Sequence, residues 1–214
     1  MSAVITSIKG LQNIYNLVGF TADYSGLSTV NLSNLNNLEY IDVSDCNIPG
    51  TGTNSLKSIN LTGSPNIVEL RLDDSDFSGG FILPNLPSLD WLDLDQCSLS
   101  SLDLSVAPEV YFVDVSSNTN MTSLNITGCI NLIELYADDC ALTEASVNAI
   151  LIELDTQGNT GGDVALDAGT SAAPTGLGAA AVISLEGKGW TVYYNGPSIT
   201  TTTTAVPTTT TTTI

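Results

Sequence analysis

The chain has 214 residues, of which 4 are basic, 23 acidic and none histidine, for a formal charge of −19. Four scattered cations (Lys9, Lys57, Arg71 and Lys188) cannot neutralise a phosphate backbone or hold an anionic membrane surface, which excludes nucleic acid and electrostatic membrane adhesion as functions. Without histidine there is no Ser-His-Asp or Cys-His centre and no His-ligated zinc, so neither enzyme activity nor a cofactor is expected. At roughly 150 residues per domain, the length suits one domain with an appendage. Charged residues are only 13% against 43% hydrophobic, which predicts a large core under a surface of Ser, Thr, Asn and Gly. The start Met1-Ser2-Ala3-Val4 lacks the basic and long apolar regions of a secretory leader. The longest apolar stretch, Ala179 to Leu185, falls far short of a span of about 18 residues, so no membrane insertion is expected.

From residue 5 to residue 137 the pattern apolar-x-x-apolar-x-apolar recurs. One series is centred on Val18, Ile41, Leu70, Leu92, Val113 and Leu135, stepping by 23, 29, 22, 21 and 22 residues. A second series, Ile8, Val30, Ile59, Phe81, Leu102 and Leu124, lies between and steps by 22, 29, 22, 21 and 22. A single insertion, Pro49-Gly50-Thr51-Gly52-Thr53-Asn54, accounts for both 29-residue steps. Each unit of about 22 residues has two strand-like segments and cannot bury its own apolar edge, so copies must stack into a solenoid.

Three residues past each first-series segment stand Asp23, Cys46, Ser75, Cys97, Asn118 and Cys140. Leu-x-x-Leu-x-Leu followed by Asn or Cys resembles the leucine-rich repeat family, in its nested form. That resemblance implies a right-handed parallel β solenoid, mostly β, of about eight turns. It also implies that these small residues bond the turning backbone. Cys129 holds the matching place in the second series, and all four cysteines are expected to be buried, reduced thiols.

The pattern changes after Ala141. Thr143 reads as an N-cap, followed by Val147, Ile150, Leu151 and Leu154 at helical spacing and a stop at Gly158. Val164 and Leu166 alternate as a short strand. A second helix is predicted from Pro174 through Leu185, then a strand over Trp190 to Tyr194. The 29- and 28-residue steps from Leu135 to Val164 and on to Val192 suit turns in which a helix replaces the second strand. The segment Gly189-Trp190-Thr191-Val192 and the helices before it also resemble a C-terminal module that follows leucine-rich repeats in Bacteroidetes bacteria and their phages. The expected organisation is a solenoid over 1–140, an α/β cap over 141–196 and an extended Thr-rich tail over 197–214. Thr-rich sequence favours extended backbone, and the tail is expected to attach the chain to other virion proteins through a sheet edge.

Three features are candidates for chemistry. Asp74-Ser75-Asp76-Phe77-Ser78-Gly79 matches the first half of a calcium loop, but Asn85 stands where the bidentate Glu belongs, so no metal site is expected. The aspartates along the first-series edge read as a solvated acidic face. On the outward, concave side of the first-series strands, one row reads Leu17, Tyr40, Glu69, Trp91, Phe112 and Glu134, and the next reads Gly19, Asp42, Arg71, Asp93, Asp114 and Tyr136. Tyr40, Arg71, Trp91, Phe112 and Tyr136, bordered by Asp42, Asp93 and Asp114, are the candidate ligand surface. The same aromatics also make good cross-strand neighbours, and the sequence leaves both roles open. The expected function is a non-enzymatic binding or structural protein. The favoured setting is a phage virion, where the chain would bind a host-surface glycan or protein. The alternative is a cell-surface or secreted bacterial interaction domain.

Overall fold

A computed structural model describes residues 10–45 and 56–199. The insertion at Pro49–Asn54, Ile8, Cys46 and the tail beyond Ile199 lie outside the described residues. In chain order the elements are β1 (Gly19–Thr21), β2 (Thr29–Asn31), β3 (Tyr40–Asp42), β4 (Ser58–Asn60), β5 (Glu69–Arg71) and β6 (Trp91–Asp93). Then follow β7 (Ser101–Asp103), β8 (Phe112–Asp114), β9 (Ser123–Asn125), β10 (Glu134–Tyr136), α1 (Glu144–Gln157), β11 (Asp163–Leu166), α2 (Gly176–Gly187) and β12 (Thr191–Tyr194).

Eight strands form one parallel sheet in the order β1-β3-β5-β6-β8-β10-β11-β12. Each turn of chain adds one rung. The central residues Ile41, Leu70, Leu92, Val113, Leu135 and Val164 pair in register and are fully buried. The intervening segments form two short parallel pairs, β2-β4 and β7-β9, with Phe81–Leu83 lying outside any strand between them. The core thus fills the space between the long sheet and these shorter pieces. No helix among the described residues is long and apolar enough to cross a membrane.

The first turn is framed two residues later than the repeat pattern predicts. Phe20, not Val18, pairs with Ile41; Phe20 is buried, whereas Val18 is 53% exposed. The first step is then 21 residues rather than 23, and Gly19 and Thr21 take the row positions expected for Leu17 and Gly19. A slip of one residue would turn the apolar face outward, but a slip of two preserves it, so apolar alternation could not choose between these frames.

Every turn leaves its strand by the same corner. Four residues past the central position, Tyr24, Asp45, Asp74, Gln96, Ser117, Asp139 and Ala168 all have φ between 49° and 57°. Asp accepts this left-handed conformation at modest cost; it is less favourable for Tyr24, Gln96, Ser117 and Ala168. After Gln96, Ser117 and Asp139 the next residue is buried and its side chain bonds the turning backbone. Asn118 Nδ2–H donates to Leu94 O (2.9 Å) and Val115 O (2.8 Å), while its Oδ1 accepts from Cys97 N–H (3.1 Å) and Leu99 N–H (2.8 Å). Cys97 Sγ–H donates to Leu72 O (3.1 Å), and Cys140 Sγ–H to Val115 O (3.4 Å). In the shorter series Cys129 Sγ–H donates to Leu104 O (3.4 Å), and Ser64 Oγ–H donates to Leu32 O (2.7 Å). Cys97, Cys129 and Cys140 are free, buried thiols.

The C-terminal end follows the expected plan. Thr143 Oγ1 accepts from Ser146 N–H (3.3 Å) at the start of α1, and Gly158, with φ 80°, ends it. Val147, Ile150, Leu151 and Leu154 of α1 are buried, as are Ala181, Val182 and Leu185 of α2, and the two helices pack together. The helices touch closely: a Cβ on Gly178 would sit 2.1 Å from Asn148 Oδ1. The second helix starts at Gly176 rather than Pro174. Strands β11 and β12 extend the sheet in register, Leu135 to Val164 to Val192.

Candidate ligand-binding face

Side chains alternate across a strand, so the residues flanking each buried central position face outward. The register aligns them in two rows along the sheet. One row is Gly19, Tyr40, Glu69, Trp91, Phe112, Glu134, Asp163 and Thr191. The other is Thr21, Asp42, Arg71, Asp93, Asp114, Tyr136, Ala165 and Tyr193.

The fold brings four of the expected residues into one continuous stack. The Trp91 and Phe112 rings lie 3.6 Å apart, centroid to centroid, with planes within 10°. Tyr136 tilts against Phe112 at 5.7 Å and 49°. Arg71 Cζ lies 5.5 Å from the Trp91 centroid, and Arg71 Nε–H donates to Glu69 Oε1 at 2.6 Å. The ring faces of Trp91 and Phe112 are therefore turned on one another. The Trp91 indole N–H is buried and has no hydrogen-bond partner among the described residues. Tyr40 stands apart from the stack, since its hydroxyl donates to Asp42 Oδ2 at 3.1 Å.

The three bordering aspartates have a structural task as well. Asp42 Oδ1 accepts from Ser44 N–H (3.2 Å) and Oγ–H (2.6 Å), and Asp114 Oδ1 accepts from Ser116 N–H (2.9 Å) and Oγ–H (2.6 Å). Asp93 Oδ1 accepts from Asp95 N–H at 3.3 Å. Each carboxylate thus closes an Asx turn where its strand ends. The same turn ends the shorter strands at Asn31, Asn60, Asp103 and Asn125.

Beside this row the acids crowd together. Burial, reinforced by the charges of Asp93, Asp45 and Asp74, pushes Asp73 up to about 7. Burial also raises Asp93 to about 6, with Asp114 and Asp95 adding to it while the Asp95 backbone bond and Arg71 oppose it. Asp114, Asp74 and Asp138 are raised too, in each case mainly by burial. The sequence placed Glu69 in the outward row without pairing it to Arg71, and it read Asp73 as part of a solvated acidic face, whereas burial is the main cause of its raised pKa. The signal for Asp73 was its place three residues past a buried centre, a column that also holds Asp95 and Asp138.

The calcium-like segment is otherwise engaged. Lys57 Nζ pairs with the Asp76 carboxylate, which also accepts from Ser78 N–H (3.2 Å) and Oγ–H (2.6 Å) and is held down at about 2. Phe77 is buried against Phe81 at 4.8 Å. Among the described residues no group of three or more Cys, Asp or Glu is placed to hold a metal ion. On the opposite side of the stack, a groove of about 600 Å³ runs over β7 and β9 between Phe81–Leu83 and the start of α1.

Compared with protein-family models, with curated proteins and with solved structures, the chain matches none.

Proposed function

We propose that the chain is a non-enzymatic leucine-rich repeat binding protein, a component of a phage virion that uses the outward face of its long sheet to hold a host surface. The observation that supports this most is the unbroken run Arg71, Trp91, Phe112 and Tyr136 across four successive strands. Aromatic and arginine side chains are the usual anchors of interfaces, and a flat sheet face can present them as one patch. The closed stacking favours a protein partner over a glycan. A sugar stacks on an open ring face, whereas the faces of Trp91 and Phe112 cover each other. The ring edges, the Arg71 guanidinium and the flanking carboxylates suit hydrogen bonding and packing with a protein loop. The Thr-rich C-terminal segment is the tether to other proteins of the particle. The virion setting rests on the likeness of the helix-strand module ending at Gly189-Trp190-Thr191-Val192 to that of phage and Bacteroidetes repeat proteins.

The test is competition. The purified chain should be detected in purified particles by mass spectrometry and should block their adsorption to host cells, and Trp91→Ala/Phe112→Ala should block at least tenfold less well. Absence from the particles would overturn the virion setting, and equal blocking by the folded double variant would overturn the face.

A further inference from the structure

The outward face of the long sheet has no partner among the described residues, and its charge is one-sided. Lys57, Lys188 and Arg71, the described cations, are each already paired, with Asp76, Asp155 and Glu69 in turn. Only Arg71 lies on the face. Asp42, Asp93, Asp114, Glu134 and Asp163 stand in its two rows, and no salt bridge among the described residues reaches them. Strands of a sheet lie about 4.8 Å apart, so Asp93 and Asp114, paired in register, hold like charges side by side. Ser116 Oγ sits between Asp114 Oδ1 (2.6 Å) and Asp95 Oδ1 (3.0 Å), which draws a third acid into the group.

The turns do not ask for this charge. Asn31, Asn60 and Asn125 close the same turn in the shorter strands with an amide oxygen alone. On the long sheet Asp42, Asp93 and Asp114 do so with carboxylates, although ionisation is costly there. Burial foremost raises Asp93 to about 6, and it raises Asp114 as well. Between these acids runs the aromatic strip. Within it the Trp91 indole N–H is buried without an acceptor among the described residues, which a folded chain normally avoids.

We propose that this face binds a basic protein segment, whose Lys or Arg side chains lay their stems along the Trp91–Phe112 strip and set their charges against Asp93 and Asp114. Such stems cover apolar surface while the charged head stays in a polar setting. Complementary charge across an interface selects the partner and fixes its register. An acidic segment would meet like charge, and a neutral glycan would leave the carboxylates without a counter-charge. The inference rests on the proposed use of this face and adds the chemistry of the partner.

The probe is a capped peptide of Lys-Gly repeats, with Glu-Gly and Ser-Gly repeats as controls, titrated into the full chain at pH 8 and followed by NMR. Only the Lys-Gly peptide should shift the Asp93 and Asp114 amides and the Trp91 indole signal, while the Trp190 indole, bonded to Asn159 O, stays in place. Asp93→Asn/Asp114→Asn keeps the turn acceptors and should bind the peptide at least about fivefold more weakly. Asp103→Asn/Glu153→Gln, an equal loss of charge away from the face, should bind like the parent. Equal affinities of these two double variants would overturn the proposal, since the attraction would then be diffuse. Equal binding of the Ser-Gly peptide would overturn it too. Host-envelope binding separates the two readings. Binding lost in Trp91→Ala/Phe112→Ala but kept in Asp93→Asn/Asp114→Asn overturns the basic partner and leaves the face. Binding kept in both overturns both.

Discussion

Trp91 and Phe112, one strand apart on the outward face, stack with ring centroids 3.6 Å apart and planes 10° from parallel. An aromatic pair contributes about 1 kcal/mol beyond the area it buries. Phe112→Leu, which keeps apolar bulk but removes the ring, should therefore cost about 1 kcal/mol in denaturant unfolding. The same change made in a Trp91→Leu background should cost measurably less. Equal costs in both backgrounds would mean that the rings are neighbours without being coupled.

Asn118 bonds five backbone groups drawn from two successive turns. Asn118→Ala would strand Cys97 N–H, Leu99 N–H and Leu94 O, all buried, and would leave Val115 O with only the Cys140 thiol. Each unsatisfied buried group costs about 1–3 kcal/mol, with partial relief from water. The expected loss is at least about 3 kcal/mol by chemical denaturation. Asn118→Cys should be milder, because Cys97 and Cys140 hold the equivalent place in neighbouring turns and still bond a carbonyl.

The crowded acids set an unusual pH dependence. Asp73 titrates near 7 and Asp93 near 6 in the folded chain, against about 3.9 when unfolded. Between these values the folded state holds protons that the unfolded state has released, so stability falls as pH rises through about 4 to 7. Melting temperature should therefore increase from pH 8 to pH 5.5, and Asp73→Asn should flatten much of that rise. Asp76 acts oppositely: held near 2 by Lys57 and Ser78, it stabilises above about pH 4 and that contribution is lost on further acidification. A melting temperature that falls between pH 8 and pH 5.5 would contradict the crowding.

Burial pushes the Cys129 and Cys140 thiols up to about 12 and raises Cys97 well above its ordinary value. The thiolate is the reactive form, so none of the three should react with an aromatic disulfide reagent in the native protein at pH 8. All three should react at once on unfolding without reductant. Rapid native labelling of Cys97 would show that the corner it closes opens readily.

Much of this architecture was legible because burial repeats with the chain. The steps between Ile41, Leu70, Leu92, Val113 and Leu135 carried the register, and the spacing of Val147, Ile150, Leu151 and Leu154 carried α1. The first turn was misframed because Val18 and Phe20 share one side of the strand, and only packing against Ile41 decides between them. The candidate face was legible as rows of residues but not as a contact. Sequence could place Trp91 beside Phe112, whereas the closed stacking, with Arg71 near Trp91 and Tyr136 against Phe112, depends on rotamers that residue spacing does not encode. The turn-closing role of Asp42, Asp93 and Asp114 was hidden because an Asx turn and a ligand-binding carboxylate use the same residue type.

The most direct test of the binding face is the affinity of the purified chain for immobilised host envelope, before and after protease treatment of the envelope. Trp91→Ala/Phe112→Ala is compared with Ile82→Ala, a change at a 90% exposed residue on the groove side. The account predicts that protease treatment abolishes binding, that the double variant binds at least tenfold more weakly while keeping its circular dichroism, and that Ile82→Ala binds like the parent. Undiminished binding by the folded double variant would contradict it.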